Sequence, residues 1–184
     1  MARIEVHPSK FALVLFDADE IAAHTQRVAD LIGFGSDTRI VIDVNEASPL
    51  GRVTLASLDP ITVAAEGGAF EDPRRPRRMS DANTLSSISK MLFRAHDRIA
   101  GGFEDAPPDT AISLARAIAW DVYAVGRSGR AGLPVQRPRR LYAFRNRHGF
   151  SDAADAAFDE LWNADALTWL SLCAISDPLA VAVA

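Results

Sequence analysis

The chain has 184 residues, of which 48% are hydrophobic and 24% are charged, and its formal net charge is −4. These are ordinary values for a globular protein, and the length suits one domain. The single cysteine, Cys173, excludes an internal disulfide and a multi-cysteine metal site. The sequence has neither an apolar run of about 18 residues nor a signal-peptide pattern, so we expect a cytoplasmic protein without a membrane span.

The first third of the chain predicts a small antiparallel sheet and one helix. Residues 39–44 alternate apolar and polar side chains, which is the period of a half-buried strand. A helix is predicted to begin at the acidic residues 17–20 and to end at Gly33. The other predicted strands are residues 4–6, 11–16, 52–58 and 61–65.

The rest of the chain predicts a loop followed by helices. Residues 67–80 are rich in Gly, Pro and Arg, and residues 133–147 are predicted to be extended or looped. Helices are predicted at residues 81–100, 109–125, 151–162 and 165–175. The apolar stripe of the first includes Ile99, and Gly126, Gly129 and Gly132 are expected to stop the second. The expected fold is a single α+β domain over residues 1–184, β-rich over 1–66 and helical over 81–184, with four C-terminal helices packing on the sheet.

Positive charge is concentrated in two arginine stretches, neither of which contains an acidic residue. Together they hold 11 of the 20 basic residues, so the rest of the chain carries 9 basic against 24 acidic side chains. The excess of arginine over lysine fits either a GC-rich genome or selection for planar bidentate donors, and codon bias does not explain the clustering. The first stretch contains Arg74, Arg75, Arg77 and Arg78, and the second contains Arg127, Arg130, Arg137, Arg139, Arg140, Arg145 and Arg147.

The second stretch is the principal candidate binding segment. Tyr142 and Phe144 lie among its arginines, a pattern in which rings stack on bases while guanidinium groups hold phosphates. The alternative is an internal clamp, because three carboxylates at helical spacing follow the segment. The candidate binding residues are Arg137, Arg139, Arg140, Tyr142, Phe144, Arg145 and Arg147, and the carboxylates are Asp152, Asp155 and Asp159.

Trp120 and Arg116 form a second candidate feature. On a helix they share a face that differs from the apolar stripe, and Arg116 is one turn before the indole ring. We expect the guanidinium to lie over the ring. Trp120 is predicted either to pack beneath the 133–147 segment or to offer a platform to a ligand.

Histidine and carboxylate chemistry gives a third set of candidates. His148 ends the second arginine stretch and His96 lies beside a carboxylate, so both are candidates for general acid–base work. Asp43 and Glu46, at the end of the strand over 39–44, offer oxygen ligands for a divalent metal, and the alternative is turn capping. No histidine pair has zinc-ligand spacing, and no cofactor is predicted.

We expect a protein that uses an arginine-rich segment to bind an acidic or phosphorylated partner, or a second copy of itself. One alternative is a hydrolase or phosphoryl-handling enzyme, with His148 or His96 as acid–base group and arginines that hold the substrate. Another is an RNA-binding protein, which the net charge of −4 does not favour.

Overall fold

The computed structural model describes residues 1–180, which form two compact units, Met1–Ala95 and a second that begins at His96. The prediction of a single domain stays a prediction, and the last four residues of its helical part lie outside the described chain. The first unit contains strands β1 (Arg3–His7), β2 (Arg39–Asn45), β3 (Val53–Leu58), β4 (Ile61–Glu66), β5 (Glu71–Asp72) and β6 (Arg75–Met79), and helix α1 (Ala18–Ile32). Helix α2 (Asp81–Ala100) follows, and then α3 (Leu114–Arg130), α4 (Arg137–His148), α5 (Asp152–Asn163) and α6 (Trp169–Ser176).

The main sheet has the strand order β1-β2-β4-β3. This confirms the α+β class, but the prediction of an antiparallel sheet is wrong for two of the three pairings. Strands β1, β2 and β4 run parallel, and only the β3–β4 hairpin is antiparallel. For β1 and β2 the reason is the connection through α1, because a helical crossover returns the chain in the same direction. For β2 and β4 the reason is β3, which runs back between them in the chain and turns into β4 through the hairpin.

Register and helix caps explain the core of the first unit. Ile40, Ile42 and Val44 of β2 pair with alternate apolar residues of β4, and all six side chains are buried on one face. Burial of each such side chain stabilises the fold by about 1.5–3 kcal/mol. The predicted ends of α1 are confirmed, since Asp17 accepts the Asp19 amide at 2.8 Å and Gly33 ends the helix at φ 92°.

Two predictions in the first unit are wrong. Residues 11–16 do not form a strand; Leu15 makes one isolated bridge to Arg78. Conversely, the predicted loop 67–80 contains β5 and β6, which pair as an antiparallel hairpin that carries the first arginine stretch. Local composition favoured a loop, whereas the pairing of the two strands depends on backbone partners that composition does not reveal.

Helix α3 runs beyond its predicted end. Gly126 and Gly129 were expected to stop it, yet the helix continues to Arg130. A Cβ atom on Gly126 would collide with the backbone of Trp162 in α5, so the glycine permits close packing of two helices. The core of the second unit contains Trp120, Tyr123, Phe103 and Phe158.

The second arginine stretch is helical, which contradicts the prediction of an extended segment. Pro138 is in the first turn of α4, where its missing N–H costs no hydrogen bond. Phe144 and His148 are one turn apart and both are buried, so tertiary packing stabilises a helix that the weak apolar pattern did not indicate.

The helices after α1 therefore number five within residues 1–180, where four were predicted. The last begins after Thr168 rather than Asp165.

Within residues 1–180, no helix combines the length and the apolar character that crossing a bilayer requires.

Candidate functional site

The arginines of α4 clamp that helix onto α5. Arg145 donates from Nε to Asp155 Oδ1 at 2.7 Å and makes a second bond to the same carboxylate. Arg137 donates a single hydrogen bond to Asp159, one turn further along α5. The hydrogen bond from Arg145 lowers the pKa of the Asp155 carboxyl. Two of the three expected carboxylates thus take part in the clamp, while Asp152 stays exposed.

Other arginines of the second stretch also have partners in their own unit. Arg140 lies 3.5 Å from Asp121 of α3, and Arg130 donates to the carbonyl of Trp162. Among residues 1–180, only Arg139 and Arg147 of this stretch have no ion pair, and Arg139 is exposed. Most of this positive charge is therefore neutralised inside the unit.

The aromatic residues predicted between these arginines do not form one surface. Phe144 is buried and stacks on His148, with ring centroids 3.8 Å apart. Tyr142 is 62% exposed and meets the equally exposed Phe150 edge to face. Residues two apart on a helix point to nearly opposite sides, so the alternation that suggested a stacking surface separates the two rings.

Trp120 belongs to a buried polar network. Its Nε1 donates to Asp97 Oδ2 at 2.7 Å, and Arg127 binds both oxygens of that carboxylate at 2.7 and 2.6 Å. The side chains of Asp97 and Arg127 are only 1% and 13% exposed. Arg127 also lies 3.8 Å above the Tyr123 ring. The ligand-platform alternative for Trp120 has no exposed indole surface to support it.

Arg116 does not lie over Trp120 as expected. It lies over Trp169, with its guanidinium carbon 5.9 Å from the ring centroid, and it pairs with Asp177 at 2.6 Å. Trp120 instead has Arg98 above its ring at 4.9 Å. The helical spacing of Arg116 and Trp120 was compatible with contact, but the partners from α6 and its neighbour outcompete it.

His148 is enclosed rather than exposed to solvent. Nδ1 donates to the Phe144 carbonyl at 3.1 Å, and Nε2 lies 2.8 Å from the Ser176 hydroxyl, which donates to the neutral ring. Burial lowers the pKa of His148. A side chain that is 3% exposed has no route to a substrate, so the acid–base role stays a prediction without support from its surroundings. His96 is half-buried in the same unit.

Glu46 holds a loop in place. Its Oε2 accepts the amides of Ala12 and Leu13 at 2.8 and 2.6 Å, which fixes the segment after β1. Asp43 lies on the exposed face of β2 beside a depression of about 120 Å³. The described residues contain no group of three or more His, Cys, Asp or Glu side chains that could hold a metal ion.

Glu46 also lines a cleft of about 390 Å³, at the carboxyl ends of the three parallel strands. Residues 13–14 follow β1, residues 46–49 follow β2 and residues 67–68 follow β4, while the hairpin contributes Glu71, Pro76 and Arg77. Loops after parallel strands converge at one edge of a sheet, which is where open sheets with parallel strands bind ligands. This volume is within the range of small-molecule sites.

Close backbone contacts fix the walls of this cleft. A side chain at Gly68 would collide with the Pro49 carbonyl, so only glycine allows the two loops to approach. Arg77 adopts φ 66°, a left-handed conformation that costs a non-glycine residue about 1–2 kcal/mol. Its amide donates to Glu71 and its carbonyl accepts the Leu15 amide at 2.7 Å, which holds it there. Such strain is concentrated at functional sites in proteins.

The first arginine stretch forms the exposed part of the hairpin. All four arginines are exposed, and within residues 1–180 the only ion pair among them joins Arg75 to Asp72 at 2.7 Å. The Arg74 amide and then the Arg75 side chain lower the pKa of Asp72. Arg74, Arg77 and Arg78 leave their guanidinium groups without a carboxylate partner in the described chain.

No family model matches the chain, and searches of curated proteins and of solved structures found no significant similarity. The site therefore rests on geometry alone. Of the candidate site residues predicted from sequence, only Glu46 lines the cleft. The signal that could have identified the cleft was the pair of apolar strands that end at Asn45 and Glu66.

Proposed function

We propose that the protein is a binding protein that recognises anionic partners through the first arginine stretch. The observation that carries the proposal is the contrast between the two stretches. Five carboxylates of its own unit pair with the second, whereas Arg74, Arg77 and Arg78 of the first have none in the described chain.

Guanidinium groups at this spacing suit phosphate or carboxylate partners. Each presents planar N–H donors that bind two oxygens at once, and arginine is not deprotonated at physiological pH. A short hairpin holds them on backbone that is already paired, so less entropy is lost on binding than from a loop. Because the rest of the chain is mainly acidic, the attraction for anionic partners is limited to this hairpin.

The test is binding of tripolyphosphate by isothermal titration calorimetry. Arg74→Glu/Arg78→Glu should lower the affinity by about tenfold or more, because two phosphate contacts are lost and two repulsions are added, and wild-type affinity should fall steeply with salt. Arg139→Glu/Arg147→Glu changes the charge equally at the second stretch and should bind as wild type. Equal loss in both variants would show that charge alone, and not the hairpin, governs binding.

A second candidate function is binding of single-stranded RNA on the outer face of α4. The observation that favours it is the exposed Tyr142–Phe150 pair beside Arg139 and Arg147. The same two variants discriminate, since fluorescence anisotropy with a short RNA should then respond to Arg139→Glu/Arg147→Glu and not to the hairpin variant. The enzyme alternative has no histidine among the described residues that line the cleft.

A further inference from the structure

The cleft at the carboxyl ends of β1, β2 and β4 contains groups of both charges. Glu46 and Glu71 belong to its lining, and so does Arg77. In each glutamate one carboxylate oxygen is used by backbone amides: Oε2 of Glu46 by Ala12 and Leu13, and Oε1 of Glu71 by Arg77. Among residues 1–180 the second oxygen of each has no hydrogen-bond partner, so two fixed acceptors are available.

The charge balance of the cleft decides what it can hold. Two carboxylates and one guanidinium leave an excess of one negative charge, so a simple anion meets repulsion from Glu46 and Glu71. A group with N–H donors and positive charge satisfies both free oxygens. An anionic group on the same molecule pairs with the Arg77 guanidinium.

We propose that this cleft binds a compact zwitterion, with an ammonium group held by Glu46 and Glu71 and a phosphate or carboxylate held by Arg77. The inference rests on the proposed function only for its anionic end. The volume of about 390 Å³ suits a ligand of metabolite size, and the apolar lining from Leu13, Val14 and Pro49 excludes water around its carbon skeleton.

Fixed walls make the site ready for such a ligand. The amides that bind Glu46 and Glu71 set the direction of each carboxylate before the ligand arrives, and Gly68 holds the two central loops in contact. Little ordering is then required on binding, which is the condition under which small ligands bind with useful affinity.

The probes are phosphoethanolamine and β-alanine, which join an ammonium to a phosphate and to a carboxylate. Each is compared by calorimetry with inorganic phosphate, propionate and ethylamine. We expect at least one zwitterion to bind about tenfold or more tighter than every probe that carries a single charge. If neither does so, the inference is wrong.

Three variants test the assigned contacts. Glu46→Gln and Glu71→Gln keep a carbonyl oxygen for the backbone amides but remove the charge, and each should lower zwitterion affinity about tenfold. Arg77→Gly removes the guanidinium at a backbone conformation that glycine adopts readily, and it should abolish the preference for a zwitterion over ethylamine. Leu50→Ala, a neighbouring exposed position outside the lining, is the matched control. Unchanged affinity in both glutamine variants would overturn the assignment.

The outcome separates this inference from the proposed function. If tripolyphosphate binding depends on Arg74 and Arg78 while both zwitterions fail, the cleft assignment falls and the arginine hairpin stands. If a zwitterion binds but tripolyphosphate does not, the cleft stands and the hairpin proposal falls. Circular dichroism and thermal unfolding of each variant verify that the fold is retained.

Discussion

Asp97 shows how far a buried charge depends on its partners. Its carboxylate accepts from Trp120 and from both terminal nitrogens of Arg127, so its hydrogen-bonding capacity is largely filled. A buried ion pair of this kind adds little compared with apolar packing, but the removal of one member leaves the other uncompensated. The network therefore acts mainly to specify how the last residues of α2 pack against α3 within this unit.

We expect Asp97→Asn to lower the free energy of unfolding by about 3–5 kcal/mol, because the buried Arg127 guanidinium then loses the carboxylate that accepts two of its hydrogen bonds. Urea denaturation measures this directly. The matched control is Asp159→Asn, which breaks an exposed pair with Arg137 and should change the stability by no more than about 1 kcal/mol. A similar small effect for both variants would contradict the importance of burial.

The burial of His148 predicts that the stability of the protein depends on pH. Burial holds its folded pKa below the unfolded value of about 6.5, so the unfolded chain takes up a proton first as the pH falls. Its contribution is therefore fully present above about pH 6.5 and is lost as the pH falls toward the folded pKa. The charged groups that face the ring include Asp177, which opposes this effect weakly.

Thermal unfolding between about pH 5 and 8 tests this sign. The wild type should lose stability toward pH 5, and His148→Gln should flatten that slope because glutamine does not titrate. His7→Gln alters an exposed histidine and should retain the wild-type slope. If His148→Gln left the slope unchanged, other groups would account for the acid sensitivity.

At the scale of elements, a glycine that suggested the end of a helix instead allows two helices to approach each other closely. Gly126 was interpreted as a helix stop, yet it is an interior residue of α3 that permits contact with the backbone of Trp162. A similar misreading affected Ile99, which continues the apolar stripe of α2 but is 48% exposed, while Asp97 is buried. Periodicity identifies a helix reliably, but it does not identify which neighbour the helix meets.

Gly126→Ala should destabilise the protein by about 1–3 kcal/mol, the usual cost of overpacking. The expected destabilisation is opposite in sign to the effect of helix propensity, since alanine in a helix interior normally stabilises a protein by about 0.5–1 kcal/mol relative to glycine. Chemical denaturation measures the change. Gly35→Ala is the control, because nothing lies within 4 Å of its added methyl group. A stabilised Gly126→Ala variant would refute the close contact.

The arginine clamp between α4 and α5 is also a feature of this scale. Sequence reasoning identified the correct carboxylates, Asp155 and Asp159, because acidic residues at helical spacing follow the basic segment closely. It predicted an extended or looped backbone for the arginine segment, which is helical, because the low apolar content of the segment favoured a loop. Side-chain pairing across a short connection was thus easier to predict than the secondary structure.

At the scale of the whole molecule, ion pairing within one unit explains most of the clustering of arginine that the sequence shows. Most of the second stretch is neutralised within its unit, whereas the arginines of the first are exposed on a chain whose net charge is −4. Exposed arginines on a mainly acidic chain also favour association with a second copy, because a basic patch on one molecule can contact an acidic surface on another.

Size-exclusion chromatography at about 50 and 500 mM salt tests self-association. If the exposed arginines mediate it, the apparent mass should fall at high salt, and Arg74→Glu/Arg78→Glu should elute as the smaller species at both salt concentrations. Arg137→Gln, which removes an internally paired charge, is the matched control and should behave as the wild type. One salt-independent mass for all three proteins would exclude this mode of association.

The sequence by itself determined the α+β class, the limits of α1, the strands around Ile42 and Val63, and the uneven distribution of arginine. These features depend on local periodicity, capping and composition, which act over a few neighbouring residues. Only the tertiary structure decided that the strands are parallel, that residues 137–148 are helical, and which arginines have partners. It also placed Glu46, Glu71 and Arg77 around one cleft. Strand direction, helix contacts and ion pairs such as Arg127–Asp97 depend on residues distant in the chain, which local patterns do not record.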